Sequence, residues 1–184
     1  TAPIGTCDKI ISIINKELIA RKSNYNVSIV SNPEFLKEGN AVSDFMSPDR
    51  IVIGSDNKNS LKVIKELYKP FILNHDRFID MDIRSAEMTK YASNAILAAK
   101  ISFINEIANI CKGLGADVNQ VRVGIGSDKR IGYDFIYPGI GFGGSCFPKD
   151  LKALEKMAED ADYKSDMIRS ISSINLYQKV KFSD

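Results

Sequence analysis

The stretch RSAEMTKYASNAILAAKISFINEIANICK, residues 84–112, contains neither proline nor glycine. Apolar residues, many of them alanine, recur along it at three- and four-residue intervals. This pattern predicts one helix of about 30 residues, roughly 45 Å long and apolar around most of its circumference. Gly113 and Gly115 are expected to end it. A helix of this length favours a link between two halves of the chain and a packing surface for a second subunit.

The residues before the long helix alternate between helix and strand patterns. Helical spacing predicts helices over 6–22 and 58–69, and short apolar or β-branched runs predict strands at 27–30, 51–54 and 77–80. Strands separated by helices indicate a parallel sheet with crossover helices. We therefore expect the latter part of a doubly wound domain.

The residues after the long helix predict further helices and one long loop. Asp117 can cap a short helix over 118–125, and residues 126–146 form a loop that contains six glycines. A helix is expected from Pro148 to Asp160, and a last helix over roughly 163–180.

These patterns divide the chain in two and predict an α/β fold class. Residues 1–82 are expected to form the tail of a doubly wound parallel sheet. Residues 83–184 are expected to form an all-α central dimerisation domain, entered through the long connecting helix. The first residue is threonine rather than methionine, so we expect upstream sequence to have been removed.

Composition narrows the classes of protein and of partner. Of the 184 residues, 44% are hydrophobic and 26% charged, which is typical of a globular protein. Lys and Arg number 25 against 23 Asp and Glu, a balance that argues against nucleic-acid and membrane partners. No apolar run reaches the ~20 residues of a membrane span, and the chain does not start with a signal peptide. Three cysteines without a close pair indicate a reducing, cytoplasmic setting.

The densest chemical signal is GIGFGGSCFPKD, residues 139–150. Its GxGxxG spacing does not indicate a dinucleotide fingerprint, because Pro138 precedes it and the helix begins only at Pro148. Cys146 instead lies beside a predicted helix N-terminus, where unpaired N–H groups favour a thiolate, and Lys149 adds positive charge. We therefore predict a functional thiol at Cys146.

The other two cysteines, Cys7 and Cys111, are interpreted as structural. Cys111 lies on the long apolar helix without polar neighbours at helical spacing, and Cys7 has no evident partner. A small buried cysteine in a glycine-rich loop is the alternative interpretation of Cys146.

Lys90 and Asn94 form a second candidate constellation. They lie four residues apart on the long helix and so share one face. A solvated stripe is the ordinary interpretation of such a pair. Because Ala, Ser, Ile and Leu flank the pair, we expect the face to be covered, and an ammonium beside an amide could stabilise an oxyanion.

The third candidate is NPEFLKEG, residues 32–39, which follows the strand predicted at 27–30. Loops at the carboxyl ends of strands bind ligands in open α/β sheets. Asn32 could cap and Pro33 could start a helix that carries Glu34 and Glu38 on one face. The same residues also fit a favourable first turn with acids near the helix dipole, and both interpretations stay open.

Other common sites find little support. His75 is the single histidine, and without a CxxC motif it predicts no metal site; we expect it to be exposed at a turn. No Walker phosphate loop is present, and basic residues are scattered.

Four segments together resemble one enzyme family. They are SNPEFLKEGNAVSDFMSPDRIVIG at 31–54, KYASNA at 90–95, SDKRIGYDFIYPG at 127–139 and GFGGSCFPKD at 141–150. In order and spacing they resemble the UDP-glucose/GDP-mannose dehydrogenase family of NAD-dependent, four-electron nucleotide-sugar dehydrogenases, and especially its UDP-glucose 6-dehydrogenase branch. The resemblance runs from Thr1 to Asp184.

The resemblance implies oxidation of UDP-glucose to UDP-glucuronate, with NAD as cofactor and a homodimer formed through the central helical domain. Enzymes of the family begin with a complete Rossmann half carrying a glycine fingerprint and end with a second α/β domain. This sequence shows neither. We therefore expect a middle piece that alone neither holds NAD nor catalyses turnover.

The resemblance also implies catalytic roles. Cys146 matches the nucleophile that forms a thiohemiacetal and then a thioester at C6. Lys90 and Asn94 match residues that stabilise the oxyanion and orient water. Asp150 matches a carboxylate that positions Lys90 and transfers protons, and Glu34 matches the acid of thioester hydrolysis.

The remaining matches concern water, cofactor and substrate. Thr1 and Glu38 match residues that help to orient water and cofactor, and Lys149 matches one near the cofactor. Arg130 matches an arginine that reaches the substrate in the adjacent subunit. The matched substrate contacts are Phe35, Leu36, Lys90, Asn94, Arg130, Phe135, Tyr137, Gly139, Phe142 and Gly143, of which Phe135, Tyr137 and Gly139 belong to a loop over the uridine diphosphate.

Three rival functions follow from the same residues. A sister enzyme acting on GDP-mannose or a UDP-N-acetylhexosamine would share the Cys, Lys, Asn and carboxylate groups. A non-catalytic dimerisation module would have an inert Cys146. A thiol-dependent aldehyde dehydrogenase of another fold is disfavoured by the NPEFL motif.

Overall fold

The computed structural model describes residues 2–72 and 77–182. The chain divides into two compact units, Thr1–Lys90 and Tyr91–Asp184, and the division falls within the long helix. No helix among the described residues is long and apolar enough to cross a bilayer. The expectation for His75 lies outside the described residues, as does the role expected of Thr1.

The described residues of the first unit form three α-helices and two parallel strands before the long helix. They are α1 (Thr6–Ala20), α2 (Ala41–Met46), β1 (Ile51–Gly54), α3 (Lys58–Tyr68), a short 3-10 turn (Lys69–Phe71) and β2 (Phe78–Met81). The strands pair in parallel, with Ile51 opposite Phe78 and Gly54 opposite Met81. The predicted crossover between parallel strands is confirmed, because α3 lies between β1 and β2 in the chain.

Strand β1 forms the buried centre of this small sheet. Ile51, Val52 and Ile53 are all buried, as expected of an apolar run that packs on both faces. Gly54 ends the strand where a Cβ would lie 2.4 Å from the Cβ of Ala86, so only glycine allows this close approach. Asn57 then caps α3 by accepting the N–H groups of Asn59 and Ser60.

The prediction of a strand at 27–30 is wrong. These residues are irregular, and only the next residue, Ser31, pairs with Gly54 in an isolated antiparallel bridge. β-Branched residues favour a strand, but a strand also requires a neighbouring strand to accept its hydrogen bonds.

The interpretation that a helix starts at Pro33 is also wrong. Glu34 and Glu38 therefore share no helical face. Residues 32–37 are irregular, and the next helix is α2. Side chains capture the N–H groups that a helix would need: Leu36 donates to Glu34 Oε2 at 2.7 Å, and Lys37 donates to Asp44 Oδ2 at 2.9 Å.

The predicted helices of the second half are confirmed. The long helix is α4 (Ile83–Leu114), followed by α5 (Val118–Gly126), α6 (Phe147–Asp160) and α7 (Asp166–Lys181). Gly113 lies within α4 rather than ending it, whereas Gly115 has the expected positive φ of 75°. Asp117 caps α5 by accepting the N–H of Asn119.

The core of the second unit joins α4, α6 and α7 to the glycine-rich loop. Its buried members are Ala95, Ala98, Phe142, Leu151 and Ile171. The small alanines on α4 let neighbouring elements pack closely against the helix. Three large apolar side chains on the same helix are not buried. Each is about half exposed: Ile96, Phe103 and Ile110.

Candidate active site

The first unit contains an ion pair between two predicted catalytic residues. Lys90 Nζ lies 3.1 Å from Glu34 Oε1; the lysine side chain is buried, whereas the glutamate side chain is 52% exposed. Partial burial alone would raise the pKa of Glu34. The hydrogen bond from Leu36 N–H and the Lys90 ammonium outweigh burial and hold that pKa below its ordinary value.

Two cations lie near the ring of Phe35. The guanidinium carbon of Arg50 is 4.1 Å from the ring centroid, and Lys90 Nζ is 5.5 Å from it. Such contacts are favourable because the ring face is negative. Arg50 was not among the predicted site residues, since no spacing rule connects it to an aromatic residue fifteen positions earlier.

The segment that carries Glu34 also lines a cavity of about 90 Å³. Its wall includes Phe35, Leu36, Arg50 and Tyr68. Glu38 lies apart from this wall, exposed in a turn.

The second unit contains a buried pair of predicted catalytic residues. Asn94 Nδ2 donates to Asp150 Oδ2 at 2.6 Å, and both residues are more than nine-tenths buried. The second oxygen, Oδ1, has no hydrogen-bond partner, and the exposed ammonium of Lys149 lies 3.5 Å from it. Asp150 is therefore a buried carboxylate with one oxygen still able to accept a proton or a hydrogen bond.

Cys146 lies at the start of α6 with its side chain exposed, as predicted for a thiol at a helix N-terminus. Its carbonyl accepts the N–H of Asp150 at 2.9 Å, so the thiol and the buried carboxylate lie one helical turn apart. Ser145 Oγ is 3.8 Å from the sulfur. The alternative of a buried cysteine is wrong for this residue.

The other two cysteines are in environments unsuited to a nucleophile. Cys111 is buried on α4, as expected. Cys7 is a free, half-buried cysteine, and its backbone N–H donates to Glu87 Oε1 at 3.0 Å. Burial, together with the hydrogen bond and negative charge of Glu87, raises the pKa of the Cys7 thiol to about 11.

The loop after α5 contains most of the predicted substrate contacts. Arg130 is largely exposed, and its guanidinium is paired with Asp128, whose pKa it lowers. Tyr137 is also exposed and lies under the guanidinium of Arg122, whose central carbon is 3.6 Å from the ring centroid. Phe135 has a positive φ of 64° and lies edge-on to Phe147.

Three buried amide side chains hold the glycine-rich part of this loop. Asn105 and Gln178 hydrogen-bond to the backbone of Gly139, and Asn175 hydrogen-bonds to the backbone of Phe142. Gly143, by contrast, is exposed. Sequence reasoning missed the three amides, although Asn175 and Gln178 lie three residues apart and so mark a polar face on α7.

Lys90 and Asn94 are both buried, which confirms the expectation of a covered face on α4. The first unit thus provides a cation, Lys90, and a carboxylate, Glu34. The second unit provides an amide donor, Asn94, a buried carboxylate, Asp150, and an exposed thiol, Cys146. These are the groups needed for acyl chemistry through a covalent thioester.

Two of the predicted site residues concern the cofactor. Glu38 and Lys149 are exposed and polar, which fits contact with a nucleotide. The described residues contain no glycine turn between a strand and a helix, so the phosphate cradle of a dinucleotide is not among them. No group of three or more His, Cys, Asp or Glu in the described ranges could hold a metal ion.

Comparison with known families gives two matches. The model of the UDP-glucose/GDP-mannose dehydrogenase family, NAD binding domain, matches residues 1–72. The model of the central domain of the same family matches residues 84–177.

Individual relatives agree with the family models. The chain is 50% identical over 179 residues to a UDP-glucose 6-dehydrogenase of Pseudomonas aeruginosa, covering 97% of this chain and 40% of the relative. It is 49% identical over 184 residues to the UDP-glucose 6-dehydrogenase TuaD of Bacillus subtilis, covering 100% and 39%. The chain thus spans about 40% of the length of these curated relatives.

Solved structures show the same fold. A UDP-glucose dehydrogenase from Pyrobaculum islandicum superposes with a TM-score of 0.82 at 39% identity, covering 90% of this chain and 38% of that one. A GDP-mannose dehydrogenase from Pseudomonas aeruginosa superposes with a TM-score of 0.62 at 33% identity, covering 97% and 41%.

Proposed function

Because the chain belongs to the UDP-glucose/GDP-mannose dehydrogenase family, we propose that the enzyme of which it forms part oxidises UDP-glucose to UDP-glucuronate. In this proposal residues 1–82 supply the end of the NAD-binding domain and residues 83–184 the central domain. The observation that carries the proposal is the exposed Cys146 thiol one helical turn from the buried Asp150–Asn94 pair. The free thiols fit a reducing compartment, and we place the enzyme in the cytoplasm.

The proposed reaction removes four electrons in two steps. NAD, when bound, accepts one hydride in each step. The C6 alcohol first loses a hydride and a proton to become an aldehyde. The Cys146 thiolate then adds to the aldehyde carbon, and the resulting thiohemiacetal oxyanion loses the second hydride to become a thioester. Water attacks the thioester carbonyl, so that the C–S bond breaks and the carboxylate and free thiol are released.

The other catalytic groups act on charge and protons. Lys90 and Asn94 stabilise the oxyanion at C6, because both are donors held away from bulk water. Asp150 moves a proton through Oδ1, which has no hydrogen-bond partner, and helps to position the Lys90 ammonium. Glu34, ionised and half exposed, activates the water of hydrolysis, and Thr1 and Glu38 orient water and cofactor.

Substrate recognition is assigned to aromatic side chains and exposed backbone. Phe35, Leu36, Phe142 and Gly143 contact the sugar nucleotide. Phe135, Tyr137 and Gly139 form the loop over the uridine diphosphate. The exposed guanidinium of Arg130 reaches the substrate bound to an adjacent subunit, and Lys149 lies near the cofactor.

We assign a homodimer to the exposed stripe of α4. Ile96, Phe103 and Ile110 recur every seven residues and are each at least 50% exposed, so they form one apolar line on the helix. A second copy offers a matching line, as a twofold interface requires. We expect Phe103→Glu to convert the enzyme from dimer to monomer in light scattering. Met167→Glu, at an exposed position on α7, should leave the dimer intact; a dimer in both variants would reject this interface.

The activity test uses the full-length enzyme, with UDP-glucose, GDP-mannose and UDP-N-acetylhexosamines as substrates. We expect two NADH per UDP-glucose consumed. Cys146→Ser should lower this rate on the order of 10³-fold or more, because serine does not form the thioester. Cys111→Ala is the matched control, since that thiol is buried elsewhere on α4.

Each other result has a definite meaning. Two NADH per GDP-mannose or per UDP-N-acetylhexosamine, with UDP-glucose inactive, would identify a sister enzyme instead. No NADH with any sugar, or an active Cys146→Ser variant, would reject the thioester mechanism and favour a dimerisation module.

A further inference from the structure

The glycine-rich loop of the second unit is held at two points by side-chain amides. At Gly139, the N–H donates to Asn105 Oδ1 at 2.8 Å, and the carbonyl accepts from Gln178 Nε2 at 2.7 Å. At Phe142, the N–H donates to Asn175 Oδ1 at 2.7 Å, and the carbonyl accepts from Asn175 Nδ2 at 3.0 Å. We call Asn105, Asn175 and Gln178 the amide clamp.

All three residues of the amide clamp are buried: Asn105 is 1% exposed, Gln178 3% and Asn175 7%. A buried amide without a partner is unfavourable, so any other loop shape would leave both the clamp and the backbone unsatisfied. An amide carries its donor and its acceptor on two separate atoms, which lets Asn175 satisfy both the N–H and the carbonyl of Phe142.

A charged residue fixes the direction of one half of the clamp. Lys181 Nζ donates to Asn109 Oδ1, so the Asn109 amide group faces away from the lysine. Asn109 Nδ2 then donates to Gln178 Oε1 at 3.0 Å, which turns Gln178 Nε2 towards the carbonyl of Gly139. Because lysine can only donate, this chain of hydrogen bonds has one orientation.

The loop in turn fits the clamp. Gly141 has a φ of 97°, and a Cβ there would lie 2.4 Å from Asn175 Oδ1. Beyond the clamped residues, Gly143 and Gly144 are exposed, and no described residue hydrogen-bonds to their backbone. The clamp therefore fixes the loop up to Phe142 and leaves the backbone between Phe142 and Cys146 open to a ligand.

We propose that Asn105, Asn175 and Gln178 are positioning residues that hold loop 139–142 in the shape that receives the sugar nucleotide. The proposal rests on the proposed function, since it takes Gly139, Phe142 and Gly143 as substrate contacts. The clamp residues do not touch the substrate; they act through the loop backbone. Their loss should affect binding of the nucleotide sugar more than binding of the cofactor.

The test compares two variants of α7 in the full-length enzyme. Asn175→Ala removes the hydrogen bonds to Phe142, whereas Ile171→Ala, one helical turn away, removes only apolar packing in the same core. We expect Asn175→Ala to raise the KM for UDP-glucose about tenfold relative to Ile171→Ala, with the KM for NAD unchanged. Equal KM values for UDP-glucose in the two variants, or an equal rise in the KM for NAD, would overturn the proposal.

A second measurement does not depend on activity. Hydrogen exchange of the Phe142 amide, which donates to Asn175, should be faster in Asn175→Ala than in Ile171→Ala. Equal exchange rates in the two variants would overturn the positioning role of the amide clamp. A wild-type enzyme that oxidises no nucleotide sugar would overturn the proposed function instead. If Asn175→Ala does not fold, Gln178→Ala carries the same comparison through the carbonyl of Gly139.

Discussion

Segment 32–38 and loop 139–142 both lack regular secondary structure, yet side chains of different kinds hold them in place. The first segment is fixed by charges: Glu34 pairs with Lys90, and Arg50 stacks on Phe35. The loop is fixed by the neutral amide clamp, which is almost completely buried.

The difference follows from what each segment carries. Glu34 must remain ionisable and reachable by water if it is to move a proton, and a half-exposed ion pair permits this. Loop 139–142 contributes backbone shape, and neutral hydrogen bonds fix a shape without responding to pH. We therefore expect an added side-chain atom to destabilise loop 139–142. A change of pH should instead affect segment 32–38, through Glu34.

The largest loss of stability is expected when a side-chain atom is added at Gly141, beside the amide clamp. Gly141→Ala combines a positive φ with a Cβ that collides with Asn175 Oδ1, so the free energy of unfolding should fall by about 2–4 kcal/mol. Urea unfolding measures this loss. Gly143→Ala, where a Cβ would meet nothing within 4 Å, should change stability by less than about 0.5 kcal/mol. Equal losses in both variants would show that the clamp does not constrain the loop.

A smaller loss of stability is expected at Asp150, where it tests whether burial makes a polar contact strong. Asp150 carries a carboxyl group, like Glu34, but is buried, like the residues of the amide clamp. Asp150→Ala leaves Asn94 Nδ2 buried without its acceptor, so unfolding should become easier by about 1–3 kcal/mol. Asp160→Ala is the control, because it breaks only an exposed pair with Lys156 and should cost less than about 0.5 kcal/mol. If both losses were small, burial would not be what makes polar contacts strong in this unit.

Sequence patterns predicted the elements whose partners are close in the chain. The helices α3 to α6 follow from local spacing and capping, and the structure confirms them. The last of these begins at Phe147, one residue before the predicted start at Pro148, with Cys146 as its N-cap. The strand predicted at 27–30 failed because a strand depends on a neighbour that local pattern does not reveal.

The candidate site shows the same limit. The covered face of Lys90 and Asn94 could be predicted from their apolar neighbours on one helix. The amide clamp could not, because Asn175 lies 33 residues from the backbone that it holds. The spacing of Asn175 and Gln178 on α7 predicts that the two amides share a face, but it does not predict which backbone groups they bind.

The smallest effect is a titration, and it tests the charged segment alone. Because its pKa is lowered, Glu34 stays ionised below its ordinary value of 4.5, and its pairing stabilises the folded state above that pH. That contribution disappears as pH falls through the folded-state pKa. Lys90→Met should raise the pKa of Glu34, since burial would then be opposed mainly by the Leu36 N–H. Carboxyl-detected NMR measures the shift. Lys37→Met, whose ammonium pairs with Asp44 instead, should leave Glu34 unchanged; a Glu34 titration that is the same in all three proteins would mean that backbone hydrogen bonding, not the ion pair, keeps this residue ionised.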